Sequence, residues 1–248
     1  MSEPACWEAL RARVRQVPAL YQPRASACCR VCRGPAGPGF GRCYQCAQHV
    51  QLGQGLLADA VVPVSYAVRG TPFAETLWRY KAEGASPAAL LALLLVFLHD
   101  HATCIWRQAG MSGPDGMPGP DRVAVVPSGC GRPEAHPLLR LISPYLRLPL
   151  ARLDMQPGEQ GRDLNADRFR ADSIAGARVL LLDDTWVSGA SAQSAAVALK
   201  RAGAAKVAIV VLGRHLNPAE PRATALAARP FDVASCAIHL PGVNRENG

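Results

Sequence analysis

Two adjacent acids that precede a short run of hydroxyl residues are the first feature of this chain to suggest chemistry. The stretch LLLDDTWVSGASAQSAA places Asp183 and Asp184 directly after a run of leucines. Neighbouring carboxylates repel each other, and burial increases the penalty because desolvation disfavours the charged form. We therefore expect a partner from outside the chain, either a cation, sugar hydroxyls or both.

The loop that follows the acids has the composition of an anion-binding turn. It consists of Ser188, Gly189, Ala190 and Ser191. Successive backbone N–H groups in such a turn converge on an anion, and the N-terminus of a following helix adds to the attraction. A ribose 5-phosphate matches both halves of the motif, with its hydroxyls on the acids and its phosphate on the loop. The alternative is that Ser188 or Ser191 only caps the helix.

Four cysteines form two CxxC pairs that are separated by ten residues. They are Cys29, Cys32, Cys43 and Cys46. Four thiolates complete a tetrahedral zinc shell without an open position, which predicts a structural site whose metal supplies folding free energy. Disulfides and an iron–sulfur cluster are the alternatives, and Cys28 can replace Cys29. We expect His49 to be a surface residue rather than a further ligand.

Apolar patterning predicts the elements that position these residues. Strands are expected in the runs DAVVPVSYAV, RVAVVPSG, ARVLLLDD and KVAIVVLGR. Helices are expected over residues 3–17, 72–84, 87–108, 190–202 and 219–228, and in part over 136–146. Residues 149–172 are polar, and we predict a mobile loop.

The predicted strands are continuous apolar runs without alternation, which indicates burial on both faces. That pattern is typical of an α/β fold in which helices flank a parallel sheet. Ligands of such sheets bind beyond the carboxyl ends of the strands, where Asp183 and Asp184 are expected to lie.

The motif VLLLDDTWVSGAS resembles the phosphoribosyl-diphosphate signature of type I phosphoribosyltransferases. That signature has apolar residues, two acids, two variable residues and a Thr/Ser-Gly-x-Thr/Ser loop. Val187 stands where the family usually has Thr. With the cysteine pairs in front, the chain resembles the ComF family, which is associated with DNA uptake in competent bacteria.

Two further segments support the resemblance and one departs from it. LWRYKAEG resembles the Lys-Tyr-x-Gly region of the family, with Tyr and Lys exchanged, and RDLNADRF resembles its Arg-x-x-Asn-x-x-x-Phe segment. After VAVVPS the family often has Arg-Gly-Phe-Asn, whereas this chain has GCGRPEAHPLLRLI.

The resemblance implies an N-terminal module over residues 1–58, with a helix and a zinc ribbon, and a phosphoribosyltransferase-like domain over 59–248. The implied ligand is phosphoribosyl diphosphate, with transfer to an unknown acceptor. Ser128, Arg132 and Lys81 are then candidates to bind the pyrophosphate, and Mg²⁺ would arrive with it because phosphate oxygens are its usual ligands. Arg132 and Lys81 are alternatively solvated surface charges. The other implied role is a non-catalytic DNA-uptake factor that binds single-stranded DNA or a helicase.

The charge of the chain is concentrated at its front. The formal net charge is +8, and residues 1–58 contain seven Arg and two Glu. The arginines of interest are Arg11, Arg13, Arg15, Arg30, Arg33 and Arg42. Such asymmetry is compatible with a polyanion partner, although an arginine-rich composition alone also produces it.

Targeting signals are not evident in the sequence. The N-terminus lacks the apolar core of a secretory signal, and the apolar run 88–98 is shorter than the roughly 18 residues that span a bilayer. We therefore expect no membrane partner and a location in the reducing cytoplasm, where cysteines stay reduced.

Overall fold

The structure is a computed structural model that describes residues 3–81, 87–112, 119–127, 136–142, 144–145, 147–157, 161 and 163–238. Its strands are β1 (Ala60–Val68), β2 (Arg122–Val125), β3 (Leu153–Met155), β4 (Phe169–Ala171), β5 (Arg178–Trp186) and β6 (Lys206–Leu216). Its helices are α1 (Glu3–Arg15), α2 (Tyr44–Leu52), α3 (Pro72–Arg79), α4 (Ala88–Gln108), α5 (Pro137–Ile142), α6 (Ala190–Arg201) and α7 (Pro221–Leu226).

The main sheet confirms the predicted α/β class. Four strands pair in the order β1-β6-β5-β2, and every pair is parallel. The sheet therefore places β5, which carries the two acids, between β6 and β2. All carboxyl ends of these strands meet at one edge, as parallel pairing requires.

Alternate residues of each strand enter two separate hydrophobic clusters, one on each face of the sheet. On β6, Ala208 and Val210 pack with α1, α3 and α4, whereas Val207 and Ile209 pack with α6. The same alternation explains the unbroken apolar runs at the centres of the strands, because both faces are covered there; buried polar residues such as Asp184 and Arg214 lie toward the carboxyl ends.

Helix α4 is long and apolar enough to cross a membrane by length and composition, but more than half of it is buried inside the protein. Its buried residues include Leu93, Leu94 and Phe97, which belong to the core cluster beneath β1 and β6. The helix therefore serves as the central core helix on its face of the sheet.

Helix α3 is shorter than the predicted one. Pro72 occupies its first turn, where a missing N–H costs nothing, but the helix ends at Arg79 instead of continuing to Gly84. Gly84 lies outside the described residues. Because the helix stops early, Tyr80 and Lys81 lie in a turn and are available to the acids on β5.

The prediction of a mobile loop over residues 149–172 is wrong in part. Strands β3 and β4 lie within it and form an antiparallel pair. Phe169 is buried against the α6 cluster, and the Ala151 amide donates to the Val123 carbonyl at 2.8 Å. Three-residue strands with a half-exposed pattern give no periodic signal, so tertiary contacts decide their structure.

Candidate functional site at the carboxyl edge of the sheet

The two acids lie within the hydrogen-bonded part of strand β5 and not beyond its end. Strand β5 continues to Trp186, with Asp183 opposite Val211 and Thr185 opposite Gly213 on β6. The predicted strand ended at Asp184, two residues too early. The acids still lie close to the carboxyl edge of the sheet, immediately before the turn into α6.

Asp184 has partners within the chain, contrary to the expectation that only an external group would make the acid pair tolerable. Its Oδ2 accepts a hydrogen bond from the Tyr80 hydroxyl at 2.6 Å and forms an ion pair with Lys81 Nζ at 2.6 Å. His136 Nε2 lies 3.7 Å from the same oxygen. Lys81, a candidate for the pyrophosphate, therefore neutralises the more buried of the two acids.

Asp183 has a different environment from Asp184. Burial, together with the neighbouring Asp184 charge, raises the pKa of Asp183 well above its ordinary value. Its Oδ1 accepts the Asp184 backbone N–H at 3.0 Å. The pair thus combines one carboxylate held by a cation with one carboxyl that favours its proton, an arrangement suited to binding hydroxyl groups.

Burial and the neighbouring Asp184 charge also raise the pKa of Tyr80, so this phenol stays protonated and donates to Asp184.

Gly189 shapes the turn that leads from β5 into α6. Its φ is +85°, a left-handed value, and a Cβ at this position would lie 2.0 Å from Trp186 Cζ2. Trp186 is 1% exposed and fills the space beneath the turn. Only glycine meets both conditions, so the shape of this turn depends on Gly189.

The hydroxyl residues of the loop have distinct roles. Ser188 Oγ accepts the Ala190 N–H at 3.3 Å within the turn, whereas Gly189 occupies the N-cap position of α6 and no side chain caps the helix. Ser191 Oγ accepts from Arg168 at 3.0 Å, and the Ser191 proton is still available for an anion. Arg168 is 4% exposed and also donates to the carbonyls of Gly161 and Asp163. It ties the segment before β4 to the first turn of α6.

Arg214 connects the loop to the cysteine module. This β6 residue lies opposite Trp186 in the sheet and is 8% exposed. Its Nη1 donates to the carbonyls of Trp186 and Val187 at 3.2 and 3.1 Å. A Cβ on Gly34 would lie 2.2 Å from its Nη2, so the guanidinium packs directly against the cysteine-containing segment.

The four predicted cysteines form one cluster. The sulfur atoms of Cys29, Cys32, Cys43 and Cys46 all lie within 4.8 Å of one another. The Cys32 and Cys43 sulfurs are 3.8 Å apart. Sulfurs at 2.3 Å from a tetrahedral zinc ion are separated by about 3.8 Å, so the donor set fits this metal in type and in spacing.

Without a cation, the thiols of this cluster oppose one another's deprotonation. Hydrogen bonding with Cys29 and Cys32, with a further contribution from burial, raises the pKa of Cys43 and of Cys46. Each added thiolate would repel those already formed, and a divalent metal removes that repulsion. Cys28 is not part of the cluster; its thiol donates to the Arg24 carbonyl at 3.2 Å.

His49 is buried, not on the surface as predicted. Its side chain is 2% exposed, and burial lowers its pKa. It lies on α2, a helix that begins directly after Cys43 and that the sequence patterning did not predict. The helix carries Cys46 into the cluster and turns His49 into the interior beside it.

Several residues near the acids were absent from the predicted site. Tyr80, Arg168, Trp186 and Arg214 all contact the acids or the loop, and His136 lies 3.7 Å from Asp184. Ser128 and Arg132, the remaining candidates for the pyrophosphate, lie outside the described residues. Of the cation candidates, Lys81 alone is therefore located, beside Asp184.

Comparison of the chain with protein-family models and with curated proteins finds no match. The functional argument therefore rests on the site itself.

Proposed function

We propose that the chain is a ComF-like protein whose type I phosphoribosyltransferase-like domain binds phosphoribosyl diphosphate. One observation carries the proposal: an acid pair near the carboxyl end of an inner parallel strand is followed by a left-handed glycine turn at the N-terminus of a 12-residue helix. In this reading Asp183 and Asp184 bind the ribose hydroxyls, and residues 188–191 bind the 5-phosphate with backbone N–H groups.

Mg²⁺ enters this proposal with the ligand. The pyrophosphate oxygens hold the ion, which neutralises charge on the leaving group when the glycosidic bond breaks. Lys81 adds positive charge at the acid pair through its contact with Asp184, and this lowers the net negative charge that the sugar phosphate would meet. We further propose that Ser128 and Arg132 bind the pyrophosphate after β2.

Titration calorimetry of the full chain with phosphoribosyl diphosphate and Mg²⁺ tests the binding. Hydrogen bonds to charged groups contribute about 1.5–3 kcal/mol each, so Asp183→Asn with Asp184→Asn should weaken binding at least about tenfold. Asp167→Asn is the matched control, because Asp167 is a surface acid paired with Arg201. Equal affinity of the double variant and the control would contradict the proposed ribose contact.

Transfer to an acceptor is a separate step of the proposal. Pyrophosphate release from phosphoribosyl diphosphate, measured with candidate bases and amines, tests it. Release that requires an acceptor and disappears in the acid double variant supports an enzyme; binding without release supports a ligand-binding role.

We propose that the four-cysteine cluster holds a structural Zn²⁺ in a zinc ribbon. All four positions of a tetrahedral ion would be occupied by protein, which leaves no open site for substrate. The cluster packs in the same core as Trp186, so the ion would stabilise the floor of the proposed ligand turn. Reduced cysteines of this kind suit the reducing cytoplasm, to which we assign the protein.

A surface next to the cysteines favours a second candidate function, binding of single-stranded DNA. Phe40 and Tyr44 are 72% and 73% exposed, and Arg30 and Arg42 are exposed beside them. Exposed aromatic rings stack on bases, and arginines contact the phosphates. We name these four residues the aromatic–basic surface. In this reading the protein is a DNA-uptake factor, and a helicase is a possible further partner.

The other arginines of the front segment contribute less to that surface than the sequence suggested. Arg11 forms an ion pair with Asp100 at 2.6 Å and Arg15 with Glu8 at 2.7 Å. Arg33 points back into the chain, where its Nη1 donates to the Ala25 carbonyl at 3.2 Å. The candidate nucleic-acid contact is therefore confined to the neighbourhood of the cysteine module.

A further inference from the structure

A second group of metal-binding side chains lies on the opposite face of the sheet from the four-cysteine cluster. The ligand atoms of His101, Cys104 and Cys236 all lie within 4.8 Å of one another. His101 and Cys236 are each 3% exposed, and Cys104 is half-buried. The first two residues are on α4 and the third is in the segment after α7, more than a hundred residues later in the chain.

The spacing of the first two residues suits chelation by a helix. His101 and Cys104 are three residues apart, so their side chains lie on one face of α4, one turn from each other. Cys236 completes a triangle, since its sulfur lies within 4.8 Å of the ligand atoms of His101 and Cys104. A zinc ion with sulfur at 2.3 Å and nitrogen at about 2.0 Å separates its ligand atoms by about 3.5–3.8 Å, so separations of up to 4.8 Å need to contract by about 1.3 Å at most.

The tautomer of His101 is the one that a metal ligand requires. Its Nε2 lies 2.8 Å from the Val233 carbonyl oxygen. A carbonyl only accepts hydrogen bonds, so Nε2 carries a proton, and in the neutral ring Nδ1 then keeps its lone pair. Donation of the second ring N–H to a backbone carbonyl is the usual outer-shell support of a metal-bound histidine. The Phe97 ring, 4.8 Å away by centroids, further restricts the imidazole.

The segment that carries Cys236 is held in place by its own hydrogen bonds. The Ser235 hydroxyl donates to Asp232 Oδ2 at 2.8 Å. Gln22, which is 2% exposed, donates to the Ser235 carbonyl and accepts from the Asp232 amide. Cys236 therefore lies in an ordered turn that faces α4. Because this turn is already ordered, less conformational entropy would be lost when an ion binds.

We propose that His101, Cys104 and Cys236 form a second metal site, which takes Zn²⁺ with three protein ligands and one open position. Imidazole and thiolate donors select zinc over Mg²⁺ or Ca²⁺, which prefer oxygen. Cys236 also lines a cavity of about 330 Å³ beside α7. The bound ion would join the segment after α7 to the central core helix.

Metal content of the full-length reduced chain tests the proposal. Wild type should bind about two Zn²⁺ per chain, one in each cluster, whereas Cys104→Ser and Cys236→Ser should each bind about one. Cys6→Ser is the matched control, because Cys6 is exposed on α1 and belongs to neither cluster. It should retain both ions. Substitution with Co²⁺ gives an independent optical readout, since the charge-transfer absorption rises with the number of coordinating thiolates.

If the serine variants fail to fold, measurements on the wild-type protein alone still test the proposed second metal site. Zn²⁺ added beyond one equivalent should protect Cys104 and Cys236 from alkylation, as mapped by mass spectrometry. Binding of a single ion by wild type, absence of this protection, or retention of two ions by folded Cys104→Ser and Cys236→Ser would overturn the proposal. Neither measurement involves phosphoribosyl diphosphate, so both are independent of the proposed ligand. The ion count also rests on the proposed zinc of the four-cysteine cluster, whereas alkylation of Cys104 and Cys236 reports on the second site alone.

Discussion

Asp183 and Asp184 are adjacent in sequence, yet they have different partners within the chain. Lys81 and Tyr80 stabilise the Asp184 carboxylate directly. Asp183 is left with burial and with its charged neighbour, and both favour the protonated form. The chain therefore tolerates the acid pair because Lys81 pairs with Asp184 and Asp183 favours its proton. A ligand would meet one carboxyl paired with a cation and one that is readily protonated.

The raised pKa of Asp183 predicts how stability depends on pH. Between about pH 4 and pH 8 the unfolded chain has lost a proton that the folded chain retains at Asp183, so this residue lowers stability as the pH rises. Asp183→Asn has a side chain of the same shape that cannot ionise. The free energy of unfolding of this variant, relative to that of wild type, should therefore increase as the pH rises across this window. Thermal denaturation from pH 4 to pH 8, with Asp167→Asn as the surface control, measures the difference. Parallel profiles for wild type and Asp183→Asn would contradict it.

Gly189 gives a second test at the level of one residue. Alanine at this position adopts a left-handed φ and collides with Trp186, so we expect Gly189→Ala to destabilise the chain by about 2–4 kcal/mol and to abolish sugar-phosphate binding. Gly176 is the matched control, because its φ is +75° and nothing lies within 4 Å of its Cβ position. Gly176→Ala should cost only about 1 kcal/mol and should leave binding intact. Denaturant unfolding and calorimetry separate the two effects; equal losses in both variants would argue against the collision with Trp186.

At the scale of elements, the strands and long helices were predictable from the sequence and the contacts between distant segments were not. Unbroken apolar runs located β1, β5 and β6, because both faces of a covered parallel sheet exclude polar residues. The short elements α2, β3 and β4 lack such a signal. The hydrogen bond from Tyr80 to Asp184 joins residues 104 positions apart, which no local pattern encodes.

The hydrogen bonds of Arg214 predict that this side chain of strand β6 stabilises the turn after β5. Arg214→Met keeps a long buried side chain but removes the donors to the Trp186 and Val187 carbonyls. Buried acceptors without partners cost about 1–3 kcal/mol each, so we expect lower stability and weaker binding of phosphoribosyl diphosphate.

Arg178→Met is the control for this variant, because Arg178 lies at the opposite end of β5 and contacts Asp121. Unfolding and calorimetric titration of both variants measure the two effects. An Arg214→Met protein with wild-type affinity would show that the turn does not depend on this side chain.

At the scale of the whole molecule, the two faces of the main sheet pack against different helices and different clusters of metal-binding side chains. One face has α1, α3 and α4, with the His101 group. The other has α6 and the four-cysteine cluster. Residues Val14, Val17 and Leu20 of the front segment belong to the first core, so deletion of residues 1–58 would remove packing as well as charge. Point variants are therefore the better probes of the basic front.

The aromatic–basic surface predicts weak, salt-dependent binding of single-stranded DNA. Two arginines that neutralise two phosphates give a slope of log affinity against log salt of about −1.4 for a single strand. Arg30→Glu with Arg42→Glu should abolish binding, and Phe40→Ala should weaken it by about 1–3 kcal/mol through lost stacking. Arg13→Glu, exposed on α1, is the control and should have little effect. Fluorescence anisotropy with a labelled oligonucleotide at several salt concentrations measures each value, and an affinity independent of salt would exclude this surface.

The guanidinium of Arg214 touches both the cysteine-containing segment and the carbonyls of the turn, and this has a thermodynamic consequence. If metal in the four-cysteine cluster steadies that guanidinium, occupancy of the cluster raises the affinity of the turn for its anion. Linkage is reciprocal, so the anion must then raise the affinity of the cluster for metal by the same factor. If the proposed sugar phosphate is that anion, the fraction of chains that hold metal would rise with the concentration of the sugar phosphate.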